Sequence, residues 1–137
     1  MSISRWRVSG IVADTSEWIE YLAGRPADLL DHALAAGIVV VPPIVVAELL
    51  SGAADQAERD ELADLLHDLV LHPTTFDHWV RVGLLRVSLR AAGVTVSVPD
   101  AHVAQCAIDR AVPLLTRDAV FSRIADHTEL RVAASSS

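Results

Sequence analysis

Ile38-Val39-Val40-Val41 carries no polar residue, and a β-branched run without alternation is the mark of a strand buried on both faces, as in a parallel sheet covered by helices. Further strands are predicted at Gly10–Ala13, Val94–Val98 and Pro113–Thr116, with a last one around Leu130–Val132. Between them the apolar spacing lengthens to that of helices. Asp14-Thr15-Ser16 caps a short helix through Trp18, Ile19 and Leu22 to Gly24. Ala27–Ala36 repeats Leu29, Leu30, Ala33 and Leu34 at helical spacing, with Gly37 in the stop position. Pro42-Pro43 suits the opening turn of a helix over Ile44–Ser51.

Asp55–Leu69 reads as an amphipathic helix, with Leu62, Leu65, Leu66 and Leu69 on its apolar face and Glu58, Arg59, Glu61, Asp64 and Asp68 on a solvated one. After a turn at His72-Pro73, Thr74 and Asp77 stand in capping-box spacing before a long helix, Phe76–Ala92, whose buried stripe is expected at Val80, Leu84, Val87 and Ala91. Helices over Asp100–Arg110 and Ala119–Ala125 complete the alternation. Strands alternating with helices imply an α/β fold, a single-domain three-layer α/β/α sandwich on a mostly parallel sheet. The domain is expected to span residues 10–132, after an N-terminal extension of residues 1–9 and before a disordered tail, residues 133–137.

The chain's 137 residues suit one domain, large enough to need no disulfide or structural metal. Its 52% hydrophobic content raises the question of a membrane segment. The longest candidate, Ile38–Leu50, is interrupted by Pro42, Pro43 and Glu48, and the apolar stretch after Arg5 and Arg7 stops at Asp14. A cytoplasmic protein without a membrane anchor is therefore expected. The lone cysteine, Cys106, reads as a small apolar core residue. A net charge of −7 argues against a broad basic face for nucleic acid. All 11 basic residues are arginines, whose planar forks match phosphate geometry, so a few placed ones could suffice.

Candidate chemistry lies with the acids. Asp14 alone would be read as an N-cap, but Glu48, Asp100 and Asp118 also follow apolar runs. In an open parallel sheet such positions gather outside the carboxyl ends of the strands. Glu48, set among Ile44, Val45, Val46, Ala47, Leu49 and Leu50, must reach solvent at the sheet edge or be paired. Four converging carboxylates need a cation, and an all-oxygen site suits Mg²⁺ with substrate phosphate, hence phosphodiester cleavage. Asp14 and Asp100 are the expected direct ligands, with Glu48 and Asp118 completing the site directly or through water; Glu48 could also take a proton from the attacking water.

Other chemistries fit less well. Ser16 has no Gly-x-Ser-x-Gly elbow, and there is no Gly-rich phosphate loop. A phosphatase would want Asp-x-Asp where Ser16 stands. His102 is expected to turn away from Asp100, as a surface residue or a support for the site.

Four blocks carry a resemblance: Ile11-Val12-Ala13-Asp14-Thr15-Ser16-Glu17-Trp18-Ile19, Val46-Ala47-Glu48-Leu49-Leu50-Ser51-Gly52, Val98-Pro99-Asp100-Ala101-His102-Val103-Ala104 and Leu115-Thr116-Arg117-Asp118-Ala119-Val120-Phe121. In order and spacing they resemble the PIN domain, and more narrowly the VapC toxins of bacterial type II toxin-antitoxin pairs. The resemblance implies an endoribonuclease dependent on Mg²⁺ or Mn²⁺, usually a homodimer, silenced by an antitoxin whose C-terminal segment lies across the active-site groove. It makes Asp14, Glu48, Asp100 and Asp118 the acidic quartet, with Thr15 or Ser16 supporting the first ligand. Arg25, Arg86, Arg90 and Arg117 are the candidates for contacts to RNA phosphates. Two departures stand out. Val120 occupies a place where members often carry another polar residue, which weakens a second metal site, and the extension with Arg5, Trp6 and Arg7 is longer than usual. The alternative is a catalytically silent PIN-like module that binds RNA or protein.

Overall fold

The computed structural model describes residues 9–134, so the expectations for residues 1–8 and 135–137 lie outside the described residues. Its elements follow in the order β1 (Ile11–Ala13), α1 (Thr15–Leu22), α2 (Asp28–Ala36), β2 (Val39–Val41), α3 (Pro43–Ser51), α4 (Gln56–His67), β3 (Val70–Leu71), α5 (Phe76–Ala91), α6 (Val98–Arg110), β4 (Leu114–Thr116), α7 (Val120–Ala125) and β5 (Val132–Ala134). The strands form one sheet in the order β3-β2-β1-β4-β5, and every pairing is parallel. Val12 sits between Val40 and Leu114 at the centre of that register.

β1, β2 and β4 are buried along their whole length. Each such Val, Ile or Leu contributes about 1.5–3 kcal/mol on leaving water, which is what holds the helices to both faces. Right-handed crossovers place α1–α4 on the side along which the chain steps from β1 to β3, and α5–α7 on the other, where it returns to β4 and β5. The three-layer α/β/α sandwich expected from the sequence is what the chain forms. Because β1 and β4 are neighbours whose chains leave to opposite faces, a crevice opens between their carboxyl ends.

Local chemistry sets the helix ends. Asp55 accepts from the Glu58 amide and Glu58 from the Ala54 amide, both at 2.9 Å, a reciprocal cap on α4. Gly37, at φ 69°, closes α2 in the left-handed conformation that the sequence assigned to it.

Four expectations are corrected. Val94–Val98 is not a strand: Val94–Ser97 is a connection, and Ser97 caps α6 by accepting from the Asp100 amide at 3.2 Å. The third strand is instead Val70–Leu71, a two-residue exposed edge directly after α4. On α5 the buried stripe is His78, Val82, Leu85 and Leu89, whereas Val80, Leu84 and Val87 are exposed; its cap is Thr75 rather than Thr74. The last strand extends to Ala134, into the segment expected as tail.

Candidate active site

Asp14 stands where β1 ends, and its backbone amide still bonds Leu115 of β4 at 3.0 Å. Its side chain caps α1: Oδ1 accepts from the Glu17 amide at 3.1 Å and from the Ser16 hydroxyl at 2.6 Å. Oδ2 accepts from the Thr116 hydroxyl, also at 2.6 Å. The carboxylate is 5% exposed. Burial pushes its pKa above the ordinary carboxylate value, the three hydrogen bonds oppose that rise, and the charge of Asp118 adds to it. Asp14 is thus both the cap that the simplest reading of the sequence gave and a buried carboxylate held rigidly at the crevice.

The other acids arrive from three further elements. Asp118 follows β4, where Thr116 Oγ1 accepts from its amide and its own Oδ1 accepts from the Val120 amide, both at 3.0 Å. Asp100 lies in the first turn of α6, which packs against α3 and β1. Burial raises its pKa, a bond to Ser97 lowers it, and Asp118, Asp14 and Glu48 each raise it further. Glu48, exposed on α3, has Oε1 held by the Thr15 hydroxyl at 2.8 Å. Asp100 therefore senses all three of the other carboxylates. Like charges so gathered relax when a cation joins them, and an all-oxygen donor set suits a hard divalent ion.

Thr116 was not singled out by the sequence, although it stands two residues before Asp118 at a strand end, where a hydroxyl reaches the neighbouring strand's terminal acid. Ser16 supports Asp14 and Thr15 supports Glu48, so the two hydroxyls expected to help the first ligand serve different acids.

The arginines are largely engaged within the protein. Arg117 Nε donates to Glu17 Oε2 at 2.9 Å, and its Nη2 to the Pro26 carbonyl at 2.6 Å. Glu17 is fully buried, and the Arg117 amide also bonds Ser16 Oγ at 3.1 Å, so Arg117 braces the platform beneath Asp14. Arg25 pairs with Glu20 at 2.6 Å. Arg86 donates to the Val96 carbonyl at 2.9 Å, and Arg90 lies exposed in the last turn of α5. His102 is wholly buried, and its Nδ1 lies 2.7 Å from Nε2 of His78.

An all-parallel sandwich with acids from four elements near the β1/β4 switch point is the arrangement against which the comparisons with known proteins are set. The PIN domain family model matches residues 11–127. The chain belongs to the PIN-domain family. It is 32% identical over 131 residues to Ribonuclease VapC11 of Mycobacterium tuberculosis, covering 90% of this chain and 97% of the relative. Among solved structures, VapBC2 from Rickettsia felis bound to a promoter DNA fragment superposes with a TM-score of 0.72 at 19% identity, over 92% of this chain and 98% of the other. VapBC-5 from M. tuberculosis does so with a TM-score of 0.65 at 24% identity, over 93% and 99%.

Proposed function

We propose that this chain is a cytoplasmic endoribonuclease dependent on Mg²⁺ or Mn²⁺, the toxin of a type II toxin-antitoxin pair, acting through Asp14, Glu48, Asp100 and Asp118. The observation that carries the reading is that Asp100, raised first by burial, is raised further by Asp118, Asp14 and Glu48, which lie close enough around the β1/β4 crevice to act on it. The ribonuclease relative aligned over nearly its whole length supports the substrate class.

Asp14 and Asp100 are the two direct ligands in this account, with Asp118 beside them and Glu48 at the open edge. A divalent cation bound by these carboxylates would offset their charge toward RNA and supply Lewis-acid stabilisation of the phosphate. Both oxygens of Asp14 are already bonded, Oδ1 by Ser16 and Glu17 and Oδ2 by Thr116, which fixes its orientation. Glu48, exposed and steered by Thr15, is placed to accept the proton of the attacking water. Val120 is buried and its side chain offers no ligand atom beside Asp118, so this account assigns the site to the quartet.

The surface next to the site fits a partner. Ile19, Leu22, Leu49 and Leu62 line an apolar groove that runs up to Thr15 and Glu48, with Ile19 and Leu22 nearly half exposed. A cognate antitoxin segment laid there would cover the acids. On the other side of the sheet, Phe76, Val80, Leu84 and Val87 form an exposed apolar stripe along α5, which a second copy of the chain would bury as a homodimer. Arg25 and Arg90 keep side chains at the surface for RNA phosphate. No helix among the described residues is long and apolar enough to cross a membrane.

The test is incubation of total cellular RNA with the purified chain in Mg²⁺ or Mn²⁺ and in EDTA. Discrete fragments that appear only with the cation support the proposal. Tight RNA binding without cleavage under any cation would replace it with the silent module.

A further inference from the structure

Away from the acids, between the end of β3 and helices α5 and α6, lies a buried cluster of imidazoles and a thiol. His72 follows β3, His78 lies in the first turn of α5 and Cys106 in the middle of α6; all three are buried, and donor atoms from each fall within 4.8 Å of one another. His102, one turn before Cys106, adds a fourth side chain, stacked on Trp79 with 4.8 Å between ring centroids. We propose that His72, His78 and Cys106 form a second cation site, selective for a nitrogen- and sulfur-seeking ion such as Zn²⁺ and independent of the acidic quartet.

The hydrogen bonds show which lone pairs are available. Asp109 is held by Arg81 through two bonds of 3.0 Å and by Gln105 at 2.8 Å, and it accepts from His78 Nδ1 at 3.1 Å. A tautomer with its proton on Nδ1, donating to Asp109, turns the lone pair of Nε2 inward. A carboxylate behind an imidazole whose other nitrogen faces a pocket is the arrangement that orients histidine ligands at metal centres. In this structure that lone pair is met by His102 Nδ1 at 2.7 Å. His72 Nδ1 accepts from Arg110 Nε at 2.9 Å. Cys106 Sγ has no nearer polar neighbour among these contacts than the His102 nitrogens at 3.8 and 3.9 Å.

Donors around a tetrahedral Zn²⁺ stand about 2.0–2.3 Å from the ion, hence roughly 3.3–3.8 Å apart. Closing the present spacing takes a shift of about an ångström by flexible side chains, which surrender the Arg110 and His102 bonds. Burial pushes the Cys106 thiol up to about 12, so it is un-ionised until an ion draws off its proton. Mg²⁺ demands oxygen, which none of the three proposed ligands offers, and the nearby Asp109 carboxylate is held by Arg81, Gln105 and His78. The two sites therefore sort cations by donor chemistry. A Zn²⁺ ion would tie β3 and α5 to α6, the helix that carries Asp100 in its first turn.

The test uses the full chain, stripped of metal and titrated with Co²⁺, whose thiolate bond gives a charge-transfer band in the near ultraviolet. One equivalent is expected to produce the band, Zn²⁺ to displace it, and a large excess of Mg²⁺ to leave it unchanged. The band should persist in Asp14→Asn and vanish in Cys106→Ser. His72→Ala, which keeps the thiol, should weaken Co²⁺ binding at least about tenfold. Absence of the band in the wild-type chain, or its survival in Cys106→Ser, overturns the proposal; its loss in Asp14→Asn overturns the independence of the two sites.

Discussion

The Thr116 hydroxyl donates to Oδ2 of Asp14 over 2.6 Å, joining the carboxyl ends of β4 and β1 at the floor of the acidic crevice. Removing that donor leaves a buried carboxylate oxygen without its partner, at a cost of about 1–3 kcal/mol. Thr116→Val is expected to lower stability by that amount. Because the bond favours the charged form, its loss raises the Asp14 pKa further, and the acidic limb of the pH–rate profile moves to higher pH. Thermal unfolding and cleavage rates across pH check both effects.

Asp14 and Asp100 both have folded-state pKa values raised above the ordinary 3.8. A raised folded value means that the native state binds more protons than the unfolded chain across that interval, so stability falls as pH climbs from about 4 through the folded values. In cation-free buffer the melting temperature is expected to decline over this range. Millimolar Mg²⁺ should flatten the decline, since an ion that binds only the folded state stabilises it. Asp100→Asn should melt higher than the parent without cation and respond little to Mg²⁺.

Asp109 shows the opposite sign. Its carboxylate, held by Arg81, Gln105 and His78 against the cost of burial, is lowered to about 2. Its contribution is present above the ordinary 3.8 and is lost as pH falls toward 2. Asp109→Asn should therefore melt below the parent at neutral pH, with the difference shrinking in acid, as unfolding followed by circular dichroism would show.

Arg117 is a brace for Glu17 in this structure. Arg117→Ala takes an ion-pair partner from a buried acid, and a loss of about 2–3 kcal/mol is expected, less than for a fully buried pair because the arginine is 28% exposed. If its main role were RNA contact, cleavage would fall while the melting temperature held.

The exposed stripe on α5 predicts association. Leu84→Arg, at a position 61% exposed, should leave the fold intact and shift sedimentation from dimer to monomer. A wild-type chain that sediments as a monomer at all concentrations would remove the homodimer from the account.

What the sequence showed and hid follows from how local each signal is. Val39–Val41 and Ile11–Ala13 declared themselves because both faces of a central parallel strand are apolar. Asp14 and Asp118 could be picked out as candidates because each follows such a run, and Asp100 because it stands in the first turn of α6, whereas Glu48 stood out only as a lone acid inside the apolar helix α3. Val70–Leu71 was hidden, because two exposed residues carry no periodicity and continue the apolar spacing of α4. Val94–Val98 misled: its β-branched residues alternate as a strand would, yet Ser97 and Pro99 start a helix there. On α5 two apolar stripes compete, and the buried one is opened by His78, whose burial depends on Asp109 and His102 far along the chain. Partners that distant leave no mark in local spacing, and the same holds for Thr116 reaching Asp14.

The central claim is that the carboxylate charge in the β1/β4 crevice drives RNA cleavage, and the most direct measurement is the cleavage rate of Asp100→Asn against the parent at saturating Mg²⁺. Asn keeps the size of Asp and removes its charge, an NH₂ donor replacing one carboxylate oxygen. The account predicts a fall of at least about a hundredfold, with the melting temperature in cation-free buffer unchanged or raised. A variant that cleaves as fast as the parent would contradict it.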